Sequence, residues 1–220
     1  MRKVVLFIGA VFVLLWTFSP IYWTFRLALA PHYEPLTLPY TFYPRAITLD
    51  NFRFVLSNPM VLTGLRNSLI IASITTFLTM LISIPSAYSL GRYRFRFRHG
   101  LLFLILVARS YPDVAMVPFF YFMYSKLGLI GTHIGLVTLH LTITLPFAVW
   151  LLMGTFSGLS PSLEHAARMD GLNRWGMMFR ILLPMSSSAV IATFAIVFLL
   201  SWNEFTFAQI FTSATPALTL

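Results

Sequence analysis

The chain has 220 residues, of which 58% are hydrophobic and only 10% are charged. Soluble domains carry about 25% charged residues, so a protein solvated on all sides is excluded. Long uncharged runs instead predict an all-α, polytopic bundle of transmembrane helices. The formal net charge is +9, and its scatter among predicted helix ends indicates cytoplasmic loops beside anionic membrane lipid, with no nucleic acid as partner. Since there is no cysteine, disulfide and thiol chemistry are excluded.

Five apolar runs are long enough to cross a bilayer, which takes about 20 helical residues. We predict spans at about residues 4–25, 67–90, 101–124, 134–156 and 185–204. A signal peptide is the alternative for the first run, but that run is longer than the usual apolar core of about 7–15 residues. Pro112 is expected to kink the third span.

Residues 31–59 contain five prolines, which predict an irregular segment outside the hydrocarbon. A short helix near residues 49–56 is expected within it, with Asp50 as its cap. The positive-inside rule orients the chain, because basic residues cluster at positions 2–3 and 92–98. The N-terminus and residues 160–184 are therefore predicted to be cytoplasmic, and residues 31–59 to be extracytoplasmic.

The longest polar interruption in the second half of the chain is residues 160–184. Ser160 and Pro161 suit a helix start, Gly171 suits its end, and Asn173 suits the cap of a second helix. The apolar residues of that second helix fall at helical spacing and are Trp175, Met178, Phe179 and Leu182. Residue types alone leave open an amphipathic interfacial connector with no partner.

The order of residues in this stretch resembles the EAA motif of ABC importer permeases. The positions that carry the resemblance are Glu164, His165, Ala166, Ala167, Asp170, Gly171 and, after nine further residues, the run that ends at Pro184. His165 departs from the pattern, because it stands where the family usually has the motif's Glu, and Glu164 precedes it. These two do not share a helix face, since a helix advances about 100° per residue.

The resemblance to the sugar-type branch of these permeases covers nearly the whole chain. Residues 49–52, 67–69, 128–129, 145–147 and 201–205 carry it outside the motif. It implies one transmembrane domain of the type I importer fold, with six spans and both termini cytoplasmic. Since five spans are predicted here, we expect the chain to be truncated at its C-terminus.

The resemblance implies a transport subunit rather than an enzyme, in an ATP-driven, binding-protein-dependent importer of a carbohydrate across the inner membrane. The EAA-like loop would couple ATPase motion to alternating access. The implied partners are a second permease subunit in a heterodimer, two ATPase subunits that hold ATP and Mg, and an extracytoplasmic solute-binding protein. For this chain we expect no cofactor and no metal. An importer of peptides or other solutes and, with less support, an ion-driven secondary transporter are the alternatives.

Ionisable residues inside predicted spans are costly and often functional. Arg109 and Asp113 lie four apart, so they would share a face of one helix, either as a structural pair or as part of a gate. Asn203 and Glu204 would line the pathway, contact the partner permease or lie solvated at the outer interface. His140 is expected to be a buried, hydrogen-bonded histidine rather than a proton relay.

Overall fold

A computed structural model describes residues 2–32, 34, 41–110, 112–212 and 219, without the side chains of Arg109 and Asp113. Across that part of the chain the regular secondary structure is helical and contains no strand, so the predicted all-α class is confirmed. The chain divides into two compact units, Met1–Leu62 and Thr63–Leu220. Each unit is described by itself.

The first unit contains α1 (Arg2–Ala28) and α2 (Asp50–Ser57). The predicted short helix is therefore confirmed, but the role of Asp50 as its cap is wrong. Leu49 occupies the cap position without a side-chain hydrogen bond, and Asp50 is the first helical residue. A carboxylate in that first turn is still favoured by the helix dipole.

A buried ion pair between Arg26 and Glu34 anchors the chain that leaves α1. The Arg26 Nε also donates to the carbonyl of Thr41 over 3.0 Å. The side-chain amide of Asn51 donates to the carbonyls of Ala28 and Ala30 over 3.1 and 2.8 Å. Ala28 is the last residue of α1 and Ala30 lies just beyond it, so these carbonyls lack helical partners. Asn51 thus fixes the start of α2 against that end.

The second unit begins within α3 (Pro59–Arg92), which crosses the boundary between the units. This helix starts earlier than the predicted span, because a proline in the first turn needs no hydrogen-bonded N–H. It also continues past residue 90, where the predicted span ended, and includes Gly91. A Cβ on Gly91 would lie 3.1 Å from Ser157 Oγ, so the glycine serves close helix packing instead.

The predicted third span is two helices, α4 (Arg98–Ser110) and α5 (Asp113–Lys126). Pro112 therefore does more than kink a continuous helix: it is the extended cap residue before α5. The next helix, α6 (His133–Ser157), agrees closely with the predicted fourth span. Thr132 caps it by accepting a hydrogen bond from Gly135 N over 3.0 Å.

The rest of the second unit is a series of shorter helices. They are α7 (Pro161–Met169), α8 (Arg174–Met177), a π-helical turn (Met178–Leu182), α9 (Leu183–Met185), α10 (Ser187–Trp202) and α11 (Thr206–Thr212). Between Arg174–Met185 and Ser187–Trp202 the axis bends by 83°. The sequence did not predict α11.

Three helices, α1, α3 and α6, are long and apolar enough to cross a membrane among the residues that the structure describes. The bent pair that ends in α10 would be a fourth if it counts as one span. The arrangement of five spans stays a prediction.

Two hydrophobic clusters hold the second unit together. The first joins α3 and α6 to the helices after residue 160, and the second joins α3, α5 and α6 to α11. The buried members of the first cluster are Met80, Ala87, Tyr88, Leu90, Val149, Leu152, Phe156, Ala167, Met177, Met178 and Leu182. Those of the second are Ile71, Tyr124, Leu136, Val137, Leu139, Phe207, Ala208 and Phe211.

Small polar side chains line the buried face of α3 between these clusters. Thr75, Thr76, Thr79 and Ser83 are fully buried. Thr79 Oγ1 lies 2.8 Å from Thr144 Oγ1 of α6. Small hydroxyl residues allow close helix approach and bond across helices inside a membrane.

Candidate functional site

The first helix of the 160–184 segment forms as its local signals predicted. Ser160 is the cap of α7, its Oγ accepts from Ser162 N over 3.3 Å, and Pro161 takes the first helical position. After the last turn, Leu172 N donates to Ala167 O over 3.0 Å. Gly171 has φ +75° in that reversal, a conformation that disfavours residues with a Cβ.

The second helix of the segment is also capped as predicted, since Asn173 Oδ1 accepts from Gly176 N over 2.7 Å. Its apolar residues do not form one buried face, however. Met178 and Leu182 are buried, whereas Trp175 and Phe179 are mostly exposed and stack on each other at 6.1 Å. The π-helical turn accompanies this division into two apolar faces.

One side of α7 is exposed and lacks charged side chains. Ser162, His165, Ala166 and Met169 are all exposed, and their spacing puts them on one helix face. Met169 is the most exposed of these, at 87%. No pattern of residues singles out Met169, because an exposed methionine cannot be told from a buried one by residue type.

The opposite side of α7 packs into the protein. Ala167 is 1% exposed within the first hydrophobic cluster. Of the two motif alanines, only Ala166 is therefore available to another molecule. Asp170 and Pro184 are also exposed.

Glu164 belongs to the packed side, where it meets the last residue of α3. Arg92 Nε lies 2.5 Å from Glu164 Oε1, and the two side chains are 6% and 12% exposed. Arg92 Nη1 and Nη2 also donate to the carbonyls of Leu159 and Ser160 over 2.6 and 3.2 Å. Arg168 approaches the other carboxylate oxygen from the exposed side at 3.8 Å.

The sequence identifies Arg92 only as one member of a basic cluster. No signal in a single sequence connects it to a carboxylate 72 residues away. Its neighbour Tyr93 was also not predicted to take part, and Arg174 lies over its ring at 5.0 Å from the centroid. Arg92, the last residue of α3, and Tyr93, which follows it, thus contact the two helices of the 160–184 segment.

The second predicted group, Asn203 and Glu204, lies after α10. Glu204 accepts from Phe207 N and Ala208 N over 3.0 and 3.2 Å, so it satisfies two free N–H groups at the start of α11. Asn203 is exposed and donates to Leu199 O over 2.9 Å. A role of either residue in the pathway stays a prediction.

His140 is buried and hydrogen-bonded, as expected, through its Nδ1 to Ser201 Oγ over 2.7 Å. Its Nε2 is 3.5 Å from Glu204 Oε2, too long for a strong hydrogen bond. The adjoining cavity is only about 10 Å³. Since one water needs about 10–15 Å³, this cavity is too small for a sugar ring.

Arg109 and Asp113 stand on different helices, because α4 ends at Ser110 and α5 begins at Asp113. The argument that they share a face of one helix is therefore wrong. Their side chains lie outside the described part of the chain, and their role as a pair or a gate stays a prediction. Within that part, no three His, Asp or Glu residues gather as metal ligands.

Comparison with known proteins gives a consistent result. Residues 83–219 match the family described as "binding-protein-dependent transport system inner membrane component". The chain is 33% identical over 215 residues to the trehalose/maltose transport system permease protein MalG of Thermococcus litoralis. That alignment covers 97% of this chain and 77% of the relative.

Two solved structures are similar in fold. A bacterial ABC transporter involved in the import of the acidic polysaccharide alginate aligns with a TM-score of 0.84 at 22% identity, over 99% of this chain and 76% of the other. A bacterial alginate ABC transporter in complex with an alginate pentasaccharide-bound periplasmic protein aligns with a TM-score of 0.69 at 14% identity, over 99% and 80% of the two chains.

Proposed function

Because the chain belongs to the family of binding-protein-dependent transport system inner membrane components, we propose that it couples a separate ATPase to the import of a carbohydrate. It is a multi-pass membrane protein with a transport role. ATP and Mg would be held by two ATPase subunits, and a second permease subunit would complete the pathway. A solute-binding protein on the outer side would deliver the carbohydrate.

The exposed face of α7 is the observation that supports coupling. None of the four residues on this face is Asp, Glu, Lys or Arg, and the side chain of Ala166 is a single methyl group. A small residue there lets another protein surface approach the helix backbone closely. His165 and Met169 of the same face would supply a polar group and an adaptable apolar one.

The other side of the same segment is built into the first hydrophobic cluster, with Ala167, Met177 and Leu182 buried. A displacement of α7 by the ATPase would therefore move α3 and α6 with it, because close-packed interiors transmit strain. This arrangement supports alternating access, in which ATP binding shifts the bundle between inward-facing and outward-facing states.

The carbohydrate class comes from the relatives. The similar permease of Thermococcus litoralis is named for trehalose and maltose, and both similar solved structures are described with alginate. In the orientation set by the basic residues, the N-terminus and the 160–184 segment are cytoplasmic. The segment from 41 to 57 then faces the solute-binding protein.

The decisive experiment is reconstitution of the assembled transporter with its ATPase and solute-binding protein in liposomes. We expect carbohydrate uptake that requires ATP and is abolished by Ala166→Arg, since the long charged side chain would separate the two surfaces. Arg168→Gln is the matched control, because Arg168 lies on α7 but not on the face formed by Ser162, His165, Ala166 and Met169. Uptake driven by an ion gradient alone, or full uptake by Ala166→Arg, would refute the proposal.

A panel of receptor ligands tests the solute class separately. Thermal-shift titration of the solute-binding protein with disaccharides, alginate oligosaccharides and short peptides should give stabilisation by a carbohydrate. Stabilisation by peptides alone would assign the chain to a peptide importer of the same architecture.

A further inference from the structure

The end of α3 is attached to the corner between α6 and α7 through one guanidinium group. Arg92 uses three of its nitrogens on three different acceptors, which are Leu159 O, Ser160 O and the Glu164 carboxylate. Arginine offers five N–H donors in a rigid planar fork. Such a group fixes orientation as well as distance.

The environment of this contact makes it stronger than a surface ion pair. The Arg92 and Glu164 side chains are 6% and 12% exposed, so water and salt screen them little. By contrast, Arg168 is 56% exposed where it approaches the same carboxylate at 3.8 Å. An exposed pair of that kind contributes little.

We infer that Arg92 is a positioning residue for coupling, and that Arg92 and Glu164 form a clamp that carries the movement of α7 into the end of α3. The inference rests on the proposed function of the 160–184 segment. Hydrophobic packing alone would let α7 slide along the cluster, because apolar contacts are non-directional. The clamp resists sliding, since a shift of α7 would break three hydrogen bonds at once.

The contact between Tyr93 and Arg174 supports this inference from the second helix of the segment. The Arg174 guanidinium lies 5.0 Å from the ring centroid, and Tyr93 Oη is 2.8 Å from Tyr88 Oη of α3. The adjacent residues Arg92 and Tyr93 thus contact the two helices of the segment, α7 and α8. The clamp on α7 is the more constrained of the two, because a cation over a ring has no fixed orientation.

The first test measures coupling in the assembled transporter. Arg92→Gln and Glu164→Gln should keep ATPase association but lower the solute molecules transported per ATP hydrolysed by about fivefold or more, the low end of typical coupling between sites. Arg92→Lys should recover only part, because an ammonium group cannot contact three spread acceptors. Arg168→Gln is the matched control and should couple normally.

The second test asks whether Arg92 and Glu164 act through one shared contact. Arg92→Gln and Glu164→Gln are combined in one chain, and the double variant should couple no worse than either single variant, because both substitutions remove the same contact. Two independent defects would instead add. Thermal unfolding of the three variants, measured beside the solute molecules transported per ATP hydrolysed, separates a loss of stability from a loss of coupling.

The outcomes separate this inference from the proposed function. Normal coupling in both Gln variants would refute the clamp while ATP-driven uptake by the unaltered transporter upholds the function. Loss of assembly in both Gln variants, or losses of coupling that add in the double variant, would also refute the clamp in favour of a folding role. Absence of ATP-driven uptake in the unaltered transporter would refute the proposed function itself.

Discussion

Glu164 and His165 are neighbours in the chain, but they lie on different faces of α7. The Glu164 side chain is 12% exposed against Arg92, whereas His165 belongs to the exposed face. We therefore expect the two alanine substitutions to affect different properties. Glu164→Ala leaves the buried Arg92 without its carboxylate and should destabilise the folded chain by about 1–3 kcal/mol. His165→Ala should leave stability unchanged.

The same two variants should show the reverse order in ATPase binding. Removal of one contact from a protein interface costs up to about 1 kcal/mol at most positions, so His165→Ala should weaken ATPase association by about fivefold or less. Thermal unfolding in detergent and titration of labelled ATPase give the two measurements. Equal loss of stability in both variants would contradict the assignment of the two faces.

The substitutions that Gly171 tolerates should be limited by its backbone conformation and not by the space around it. A Cβ at this position would meet nothing within 4 Å, but φ is +75°. Gly171→Asn should be tolerated, because asparagine enters this conformation readily. Gly171→Val should cost about 1–2 kcal/mol or more, since β-branched residues avoid it. The midpoints of thermal unfolding measure the difference between the two variants. A Val variant as stable as the Asn variant would contradict a limit set by the backbone conformation.

The ends of the helices in the 160–184 segment were predictable because their signals are local. Ser160, Gly171 and Asn173 act on groups within a few residues of themselves. The start of α3 was not predictable, because Pro59 is compatible with a loop and with a first helical turn. The sequence therefore favoured a loop that continues to about residue 67, whereas the observed helix begins at Pro59.

The tertiary role of a charged residue could not be predicted in the same way. Arg92 was one of several arginines after a span, and only the packing of α3 against α7 distinguishes it from the exposed Arg94 and Arg96. Helix α11 was not predicted for a similar reason. Glu204 is a cap there, but an acidic residue at the end of an apolar run also suits a solvated interface.

Glu204 should prove mainly structural. Glu204→Ala removes the acceptor for two N–H groups of α11, and loss of such a cap costs about 0.5–2 kcal/mol. Glu204→Gln keeps one carbonyl acceptor and should lose less. Hydrogen exchange at residues 206–212 should rise in the Ala variant, and Asn203→Ala is the control, because the Asn203 side chain donates to Leu199 O of α10. Normal exchange with abolished uptake would instead indicate a role in the pathway.

The hydroxyl pair between α3 and α6 should respond unequally to loss of either partner. Thr144 Oγ1 donates to His140 O over 2.9 Å, so its single proton is used within α6. Thr79 must then donate to Thr144 Oγ1 over 2.8 Å. Thr79→Val leaves Thr144 bonded, whereas Thr144→Val leaves the fully buried hydroxyl of Thr79 without its acceptor. Valine has nearly the shape of threonine, so packing should change little.

Thr144→Val should therefore destabilise the chain more than Thr79→Val does. Hydrogen bonds between membrane helices contribute about 0.6 kcal/mol on average, and an orphaned buried hydroxyl adds to that loss. The double variant should be no less stable than Thr144→Val alone, because it removes the orphan as well. Unfolding free energies for the three variants complete a double-mutant cycle. Equal effects of the single variants would show that the proton of Thr144 is not committed to His140.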